Sequence, residues 1–138
     1  MDAKFVFAAA GAFITSFVLG FLFHGLLLSA DYAALPAVYR GPQFRPGLFS
    51  LLILAQILMA VALVAIYRYG REERSFLGQG IRFGLLAAAL SVIPCYLIGY
   101  AVTNIPAALA IKQIVLESIN VVAMAVVVAW VHREWTSR

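Results

Sequence analysis

The sequence predicts an all-α integral membrane protein: one domain over residues 1–138, built as an up-down-up-down bundle of four transmembrane helices. Hydrophobic residues make up 64% of the chain and charged residues only 12%, about half the charged fraction of a soluble domain. The apolar residues form four long blocks, at about 5–30, 48–67, 81–103 and 111–131. A block of about 20 apolar residues is long enough to cross a bilayer as a helix.

The first block, about residues 5–30, is predicted to be one spanning helix. A cleaved secretory signal is the alternative, because Lys4 precedes the run. The apolar core of a signal is only about 7–15 residues long, so this block is too long for one. Small residues at four-residue spacing should let another helix approach one side of this helix closely. That ladder ends in a histidine and consists of Ala8, Ala12, Ser16, Gly20 and His24.

The first break in the pattern, residues 31–47, contains three prolines, which rule out a regular helix through it. It also contains Tyr32 and Tyr39, and amphipathic aromatic side chains favour the membrane interface. The second apolar block, at about 48–67, is interrupted in polarity only by Ser50 and Gln56.

The third block, at about 81–103, is predicted to be a kinked span, because Pro94 removes one backbone hydrogen bond. Small residues at helical spacing form two rows that we expect to pack against neighbouring helices, within the monomer or across a homodimer. One row is Gly80, Gly84 and Ala88, and the other is Ala87, Ser91, Cys95 and Gly99.

The fourth block, at about 111–131, is the only one with an acidic residue well inside it. Gln113, Glu117 and Asn120 recur at helical spacing and therefore share one face. An ionisable side chain inside a spanning helix costs about 3 kcal/mol on insertion scales and usually finds a partner in the protein interior. Glu117 is therefore predicted to face inward.

The distribution of basic residues predicts that both termini are cytoplasmic. Positively charged residues concentrate on the cytoplasmic side of membrane proteins. One side would hold seven of them, namely Lys4, Arg68, Arg71, Arg74, Arg82, Arg133 and Arg138, and the other only Arg40, Arg45 and Lys112. Since the net charge of +4 comes from these flanking residues, the sequence predicts the lipid bilayer as a partner and no nucleic acid.

Each predicted helix places a polar side chain at a similar depth in the outer half of the bundle, whereas the inner half is almost purely aliphatic. At a rise of about 1.5 Å per residue, His24 and Glu117 lie equally deep, and Gln56 lies slightly deeper. The predicted polar cluster contains His24, Gln56, Tyr96, Tyr100, Gln113, Glu117 and Asn120.

Several kinds of site are not expected. A single cysteine excludes an internal disulfide and a CxxC motif. One histidine and one acid supply two metal ligands, whereas zinc sites generally need three or four. Haem ligation by two histidines is also not expected, because His132 lies at the opposite membrane face from His24. No hydrolase, metalloprotease or phosphate-binding motif is present, so we expect no enzyme, no cofactor and no metal.

Several short motifs occur along the chain: residues 20–27 followed by Tyr32, Tyr67 with Gly70, residues 80–86, Pro94, and residues 100–102 with 105–106. Together they resemble the motifs of a group of small bacterial four-helix membrane proteins classed as a domain of unknown function. The resemblance implies a four-helix fold in a bacterial cytoplasmic (inner) membrane and a role for His24 and Glu117. It implies no activity, substrate or cofactor.

Two functions follow as expectations. The first is a non-enzymatic accessory or interaction subunit, in which the polar cluster fixes helix register, as a homo-oligomer or within a larger membrane complex. The second is a small transporter or ligand-binding protein in which Glu117 titrates with His24 as its partner.

Overall fold

The computed structural model describes residues 2–40, 46–72 and 75–133. Within them the chain forms six α-helices and one π-helical segment. The α-helices are α1 (Ala3–Gly20), α2 (Ser29–Ala33), α3 (Pro46–Tyr69), α4 (Phe76–Leu90), α5 (Val92–Val102) and α6 (Ala107–His132), and the π-helical segment is Phe21–Leu27.

These elements build four segments that are long and apolar enough to cross a membrane: Ala3–Leu27, Gly47–Tyr69, Phe76–Val102 and Ala107–His132. No strand occurs among the described residues. The predicted all-α four-helix bundle is therefore confirmed, and the chain is a multi-pass membrane protein. Most large apolar side chains on the outside of the bundle are exposed, as a lipid-facing surface requires.

Helix α6 lies at the centre of the bundle and packs against α1, α3, α4 and α5. The packing is antiparallel, because low residue numbers on α4 meet high ones on α6. A side chain at Gly80 would meet Val126, and one at Gly84 would meet Val122. On its other side, α6 contacts α1, with Gly11 against Val127.

The small-residue row on α4 allows this contact, as predicted. A Cβ atom added at Gly84 would lie 2.6 Å from Val122 Cα, and one at Gly80 would lie 2.6 Å from Val126 Cα. Real Cβ atoms do not come that close to backbone, so both positions require glycine. The two helices therefore touch backbone to backbone, the geometry typical of small-xxx-small interfaces in membranes.

The ladder on α1 also faces the interior. Ala8, Ala12 and Ser16 have no exposed surface. The first two belong to the main apolar core, which α3 and α6 complete. This core occupies the half of the bundle that contains the start of α1 and the end of α6. It consists of Phe5, Ala8, Ala12, Ala60, Leu63, Val64, Tyr67, Met124, Val128 and Ala129.

The first spanning segment is not the regular helix predicted over 5–30. The α-helical pattern ends at Gly20 and continues as a π-helix to Leu27. The Leu28 N–H donates to the carbonyl of Phe23, five residues back, at 2.8 Å. Leu28 then ends the segment with φ −99° and ψ 1°, and the chain turns into α2. A wider turn of this kind is rare and is often found at functional sites.

The third span, predicted to be kinked at Pro94, is divided three residues earlier, at Ser91. Here φ is −116° and ψ is −59°, and the chain passes from α4 to α5. Pro94 has no N–H to donate to the preceding turn. The N–H and the hydroxyl of Ser91 both donate to the Ala87 carbonyl, at 3.0 and 2.7 Å.

The second small-residue row, which begins at Ala87, packs within the monomer only at its start. Ala87 lies against buried core residues, whereas Ser91 and Cys95 are exposed and an added Cβ at Gly99 would meet nothing within 4 Å. For the row beyond Ala87, packing across a homodimer, the other predicted arrangement, stays a prediction. The α-helical pattern breaks at Ser91, between the packed and the unpacked part of the row.

Arg82, at the start of the third apolar block, makes an ion pair with Glu72 at 2.5 Å. His132 is buried, and its ring lies 5.6 Å from that of Tyr67. Trp130 is half exposed. Trp135, the second tryptophan of the chain, lies outside the described residues.

Candidate functional site

The histidine and the acid that the sequence places at equal depth form a direct contact. His24 Nε2 lies 2.6 Å from Glu117 Oε1. Glu117 is largely buried, with 14% of its side chain exposed, and His24 is about one third exposed, at 32%. The acid is therefore not left in lipid. It is paired across the α1–α6 interface, as the cost of an isolated intramembrane charge requires.

The π-helical segment is the element that carries His24. It follows directly on the buried ladder of α1, whose last α-helical residue is Gly20. Because a π-turn is wider than an α-turn, the residues after Gly20 are rotated relative to a continued α-helix. His24 therefore contacts α6 from just beyond the end of the ladder. The four-residue spacing of the ladder predicts the direction of the His24 side chain only approximately.

The second oxygen of Glu117 leads deeper into the bundle. Asn120 Nδ2 donates to Glu117 Oε2 at 3.3 Å and to Ser16 Oγ at 3.4 Å. The Ser16 hydroxyl in turn donates to Gln56 Oε1. Three spans, containing α1, α3 and α6, are therefore joined by one hydrogen-bonded chain below the His24–Glu117 pair.

The other side of His24 leads toward the bundle end. His24 Nδ1 lies 2.5 Å from the Tyr32 hydroxyl, and the two rings are stacked at 5.9 Å between centroids. Gln113 Nε2 donates to Tyr32 Oη at 3.4 Å and to Tyr39 Oη at 3.2 Å. The tyrosine rings contact each other, with centroids 4.5 Å apart. Both tyrosines, expected at the membrane interface, turn their hydroxyl groups toward Gln113 on α6.

The donors and acceptors of the network are complementary. A carboxylate oxygen only accepts, so the contact with Glu117 Oε1 is one in which His24 Nε2 donates. Asn120 Nδ2 donates to the other carboxylate oxygen. The Tyr32 oxygen accepts from Gln113 and also contacts His24 Nδ1.

An ion pair lies beside the network at the same end of the bundle, which we call the site end. Lys112 Nζ contacts the two carboxylate oxygens of Asp31 at 2.9 and 3.2 Å. The Lys112 side chain is half exposed. This ion pair links α2 to the N-terminal part of α6, where Lys112 immediately precedes Gln113.

Two buried carbonyl oxygens of the site have no donor within the described part of the chain. They are Gln113 Oε1 and Asn120 Oδ1, and both residues are almost fully buried. An unpaired buried acceptor costs about 1–3 kcal/mol. The site therefore has unused capacity for water or for a ligand that carries N–H or O–H groups.

Five of the seven residues predicted for the cluster lie in this network: His24, Gln56, Gln113, Glu117 and Asn120. Tyr96 is half buried against Ala88, Val92 and Val121. It also interacts electrostatically with Glu117. Tyr100 is 43% exposed. Neither tyrosine of α5 hydrogen-bonds to the network in the described ranges.

Three residues of the network were not among those predicted for the polar cluster: Ser16, Tyr32 and Tyr39. A signal existed for Ser16, which lies on the same small-residue ladder as His24. The two tyrosines follow the π-helical segment, and their inward direction depends on a turn that residue spacing does not predict.

Within residues 2–40, 46–72 and 75–133, no three or more His, Cys, Asp or Glu side chains form a group that could hold a metal ion.

The pKa of Tyr32 gives a testable pH dependence. Burial raises the pKa of its phenol above the usual 10.0, and the charges of Glu117 and Asp31 act in the same direction, against the hydrogen bond from Gln113. A group whose folded-state pKa is raised contributes stability that is complete below its unfolded pKa and is lost above it. We therefore expect Tyr32 to destabilise the fold progressively above about pH 10.

Spectrophotometric titration of phenolate absorbance and unfolding at pH 9–11 test this expectation. The Tyr32→Phe variant should lose one late-titrating phenol and show a shallower alkaline loss of stability than the wild type. A titration in which the missing phenol ionises at or below pH 10 contradicts the described environment.

No protein-family model, no curated protein and no solved structure matches this chain. The resemblance to the group of small bacterial membrane proteins therefore stays a prediction, and the function has to be argued from the site itself.

Proposed function

We propose that this protein is a non-enzymatic subunit of a bacterial cytoplasmic membrane, in which the polar network fixes the register of the helices and the subunit associates with other membrane proteins. The proposed orientation has both termini in the cytoplasm, where positively charged residues concentrate. In that orientation the site end faces the outside of the cell.

One observation carries the structural role of the network: its central groups satisfy one another. Both ring nitrogens of His24 and both carboxylate oxygens of Glu117 have protein partners. Such closed networks between spanning helices specify helix pairing at modest gain, about 0.6 kcal/mol per hydrogen bond on average. Beyond Ser16 the network meets the main apolar core, which separates it from the buried Gln79 and His132 toward the other end of the bundle.

A second function is favoured by a different observation. His24 is one third exposed, and the buried carbonyl oxygens of Gln113 and Asn120 lack donors. These features suit a site that binds a proton or a hydrogen-bond-donating ligand from the site end, with Glu117 as the titrating group. In a small transporter or binding protein of this kind, Glu117 would be indispensable.

The Glu117→Gln variant separates the two functions. In proteoliposomes with an entrapped pH dye, we expect wild type and Glu117→Gln to show the same proton movement, with Lys112→Gln as the control for loss of a charge at the same end. In native membranes, both proteins should migrate in the same larger complex. Proton movement that Glu117→Gln abolishes favours the transport function. Migration of the wild type as a monomer or homo-oligomer alone contradicts the subunit role.

A further inference from the structure

Residues 29–40 cover the site end, and we call them the site-end cap. In this cap the polar side chains face the protein and the apolar side chains face outward, the reverse of a loop exposed to water. Its polar side chains Asp31, Tyr32 and Tyr39 point toward α6, where they contact Lys112 and Gln113. Apart from Ser29 and Arg40 at its two ends, its exposed residues are apolar: Ala30, Ala33, Ala34, Pro36, Ala37 and Val38.

From this distribution we propose that the site-end cap lies within the headgroup–acyl boundary of the bilayer, with phospholipid and not water against its exposed face. A loop in water normally turns its polar groups outward and its apolar groups inward. The reversed arrangement suits a lipid environment. The proposal concerns the position of the cap and stands independently of the function proposed for the polar network.

Much of the backbone of the cap is hydrogen-bonded within the protein. The N–H of Tyr32 donates to Leu28, that of Ala34 to Ala30, and that of Leu35 to Tyr32. The N–H groups of Val38 and Tyr39 both donate to the Leu35 carbonyl. Pro36 has no N–H. Irregular backbone within a membrane has to satisfy its polar groups internally, and these bonds meet much of that requirement.

Side-chain hydroxyls and charges of the cap follow the same rule. The Ser29 hydroxyl donates to the Leu26 carbonyl at 2.8 Å, and the Asp31 carboxylate is paired with Lys112. The exposed cation at the end of the cap, Arg40, suits the phosphate groups of lipids, toward which arginine side chains extend.

The exposed face of the cap is continuous with the lipid-facing surface of the bundle. The cap follows the π-helical segment directly and contacts it. Leu26 and Leu27, at the end of that segment, are 56% and 57% exposed. In a multi-pass membrane protein this surface meets lipid, so the apolar face of the cap extends an existing lipid contact. This continuity favours phospholipid over a protein partner.

Nitroxide labels report this position directly. Cys95→Ala removes the only cysteine, and Ala34→Cys and Val38→Cys then place one label each on the exposed face of the cap. The labelled proteins are reconstituted into vesicles of phosphatidylethanolamine and phosphatidylglycerol, and collision rates are measured with oxygen and with a water-soluble nickel chelate. Asn104→Cys, in the exposed connection at the same end, and Leu90→Cys, 80% exposed within the third span, are the reference positions.

We expect both cap labels to favour oxygen over nickel, at a depth of about 5–10 Å below the phosphates, between the values for Asn104→Cys and Leu90→Cys. Nickel access at the cap equal to that at Asn104→Cys places the cap in water and overturns the proposal. Low access to both reagents indicates burial against protein and overturns it equally. Thermal unfolding of each labelled variant shows whether the fold is retained, and Ala37→Cys replaces a variant that unfolds.

Discussion

Replacing Gly84 with alanine is expected to destabilise the bundle by about 1–3 kcal/mol, although alanine is the better helix former by about 1 kcal/mol. The added methyl group would lie 2.6 Å from Val122 Cα and 3.2 Å from Ala125 Cβ. Since the nearest obstacle is backbone, a change of side-chain rotamer does not relieve the clash. Helix α4 would have to move away from α6, which contacts it more extensively than any other helix does.

The same chain supplies the control. Gly99 lies in the same spanning segment, and an added Cβ there meets nothing within 4 Å. Gly99→Ala should be neutral or slightly stabilising, whereas Gly80→Ala should behave like Gly84→Ala. Unfolding by sodium dodecyl sulfate in mixed micelles, followed by loss of helicity, measures all three variants. Equal stabilities for Gly84→Ala and Gly99→Ala are incompatible with the close α4–α6 contact.

Replacing Glu117 with alanine is expected to destabilise the fold by a comparable amount, about 1–3 kcal/mol, because it leaves donors inside the bundle without an acceptor. The change removes the acceptors of both His24 Nε2 and Asn120 Nδ2. The Glu117→Gln variant keeps the shape and one acceptor, so its loss should be smaller.

A double-mutant cycle isolates the contact between α1 and α6. The His24→Ala and Glu117→Ala variants together should lose less than the sum of the single losses, with a coupling of about 1–2 kcal/mol. The matched control is the half-exposed pair of Lys112 and Asp31. Exposed ion pairs contribute about 0–1 kcal/mol, so we expect the coupling energy of this pair to lie in that range. Additive effects at His24 and Glu117 contradict a direct bond.

The spanning segments and the depth of the polar residues were predictable because they depend on local quantities. Span length follows from the run of apolar residues, and depth follows from the rise per residue in a helix. These two quantities place His24 and Glu117 at the same level, where the structure joins them at 2.6 Å. The glycine row on α4 was predictable for a similar reason, since four-residue spacing defines a face.

The residues around that pair were less predictable, because their directions depend on irregular backbone. The predicted regular helix over 5–30 gives no reason for Tyr32 to return to His24. The π-helical segment and the turn at Leu28 bring it back. In the same way, the helix breaks at Ser91, and the small-residue row packs against the core at Ala87 but not at Gly99.

The sequence by itself determined that this chain crosses the membrane four times and that its one intramembrane acid needs a partner, because hydropathy and the cost of a charge in lipid act on every residue regardless of fold. Only the tertiary structure decided which partners that acid has and which way the site-end cap faces. Those outcomes depend on where the α-helical pattern of α1 ends and on how closely the neighbouring helices pack against α6. Both are determined by packing between segments that are distant in sequence.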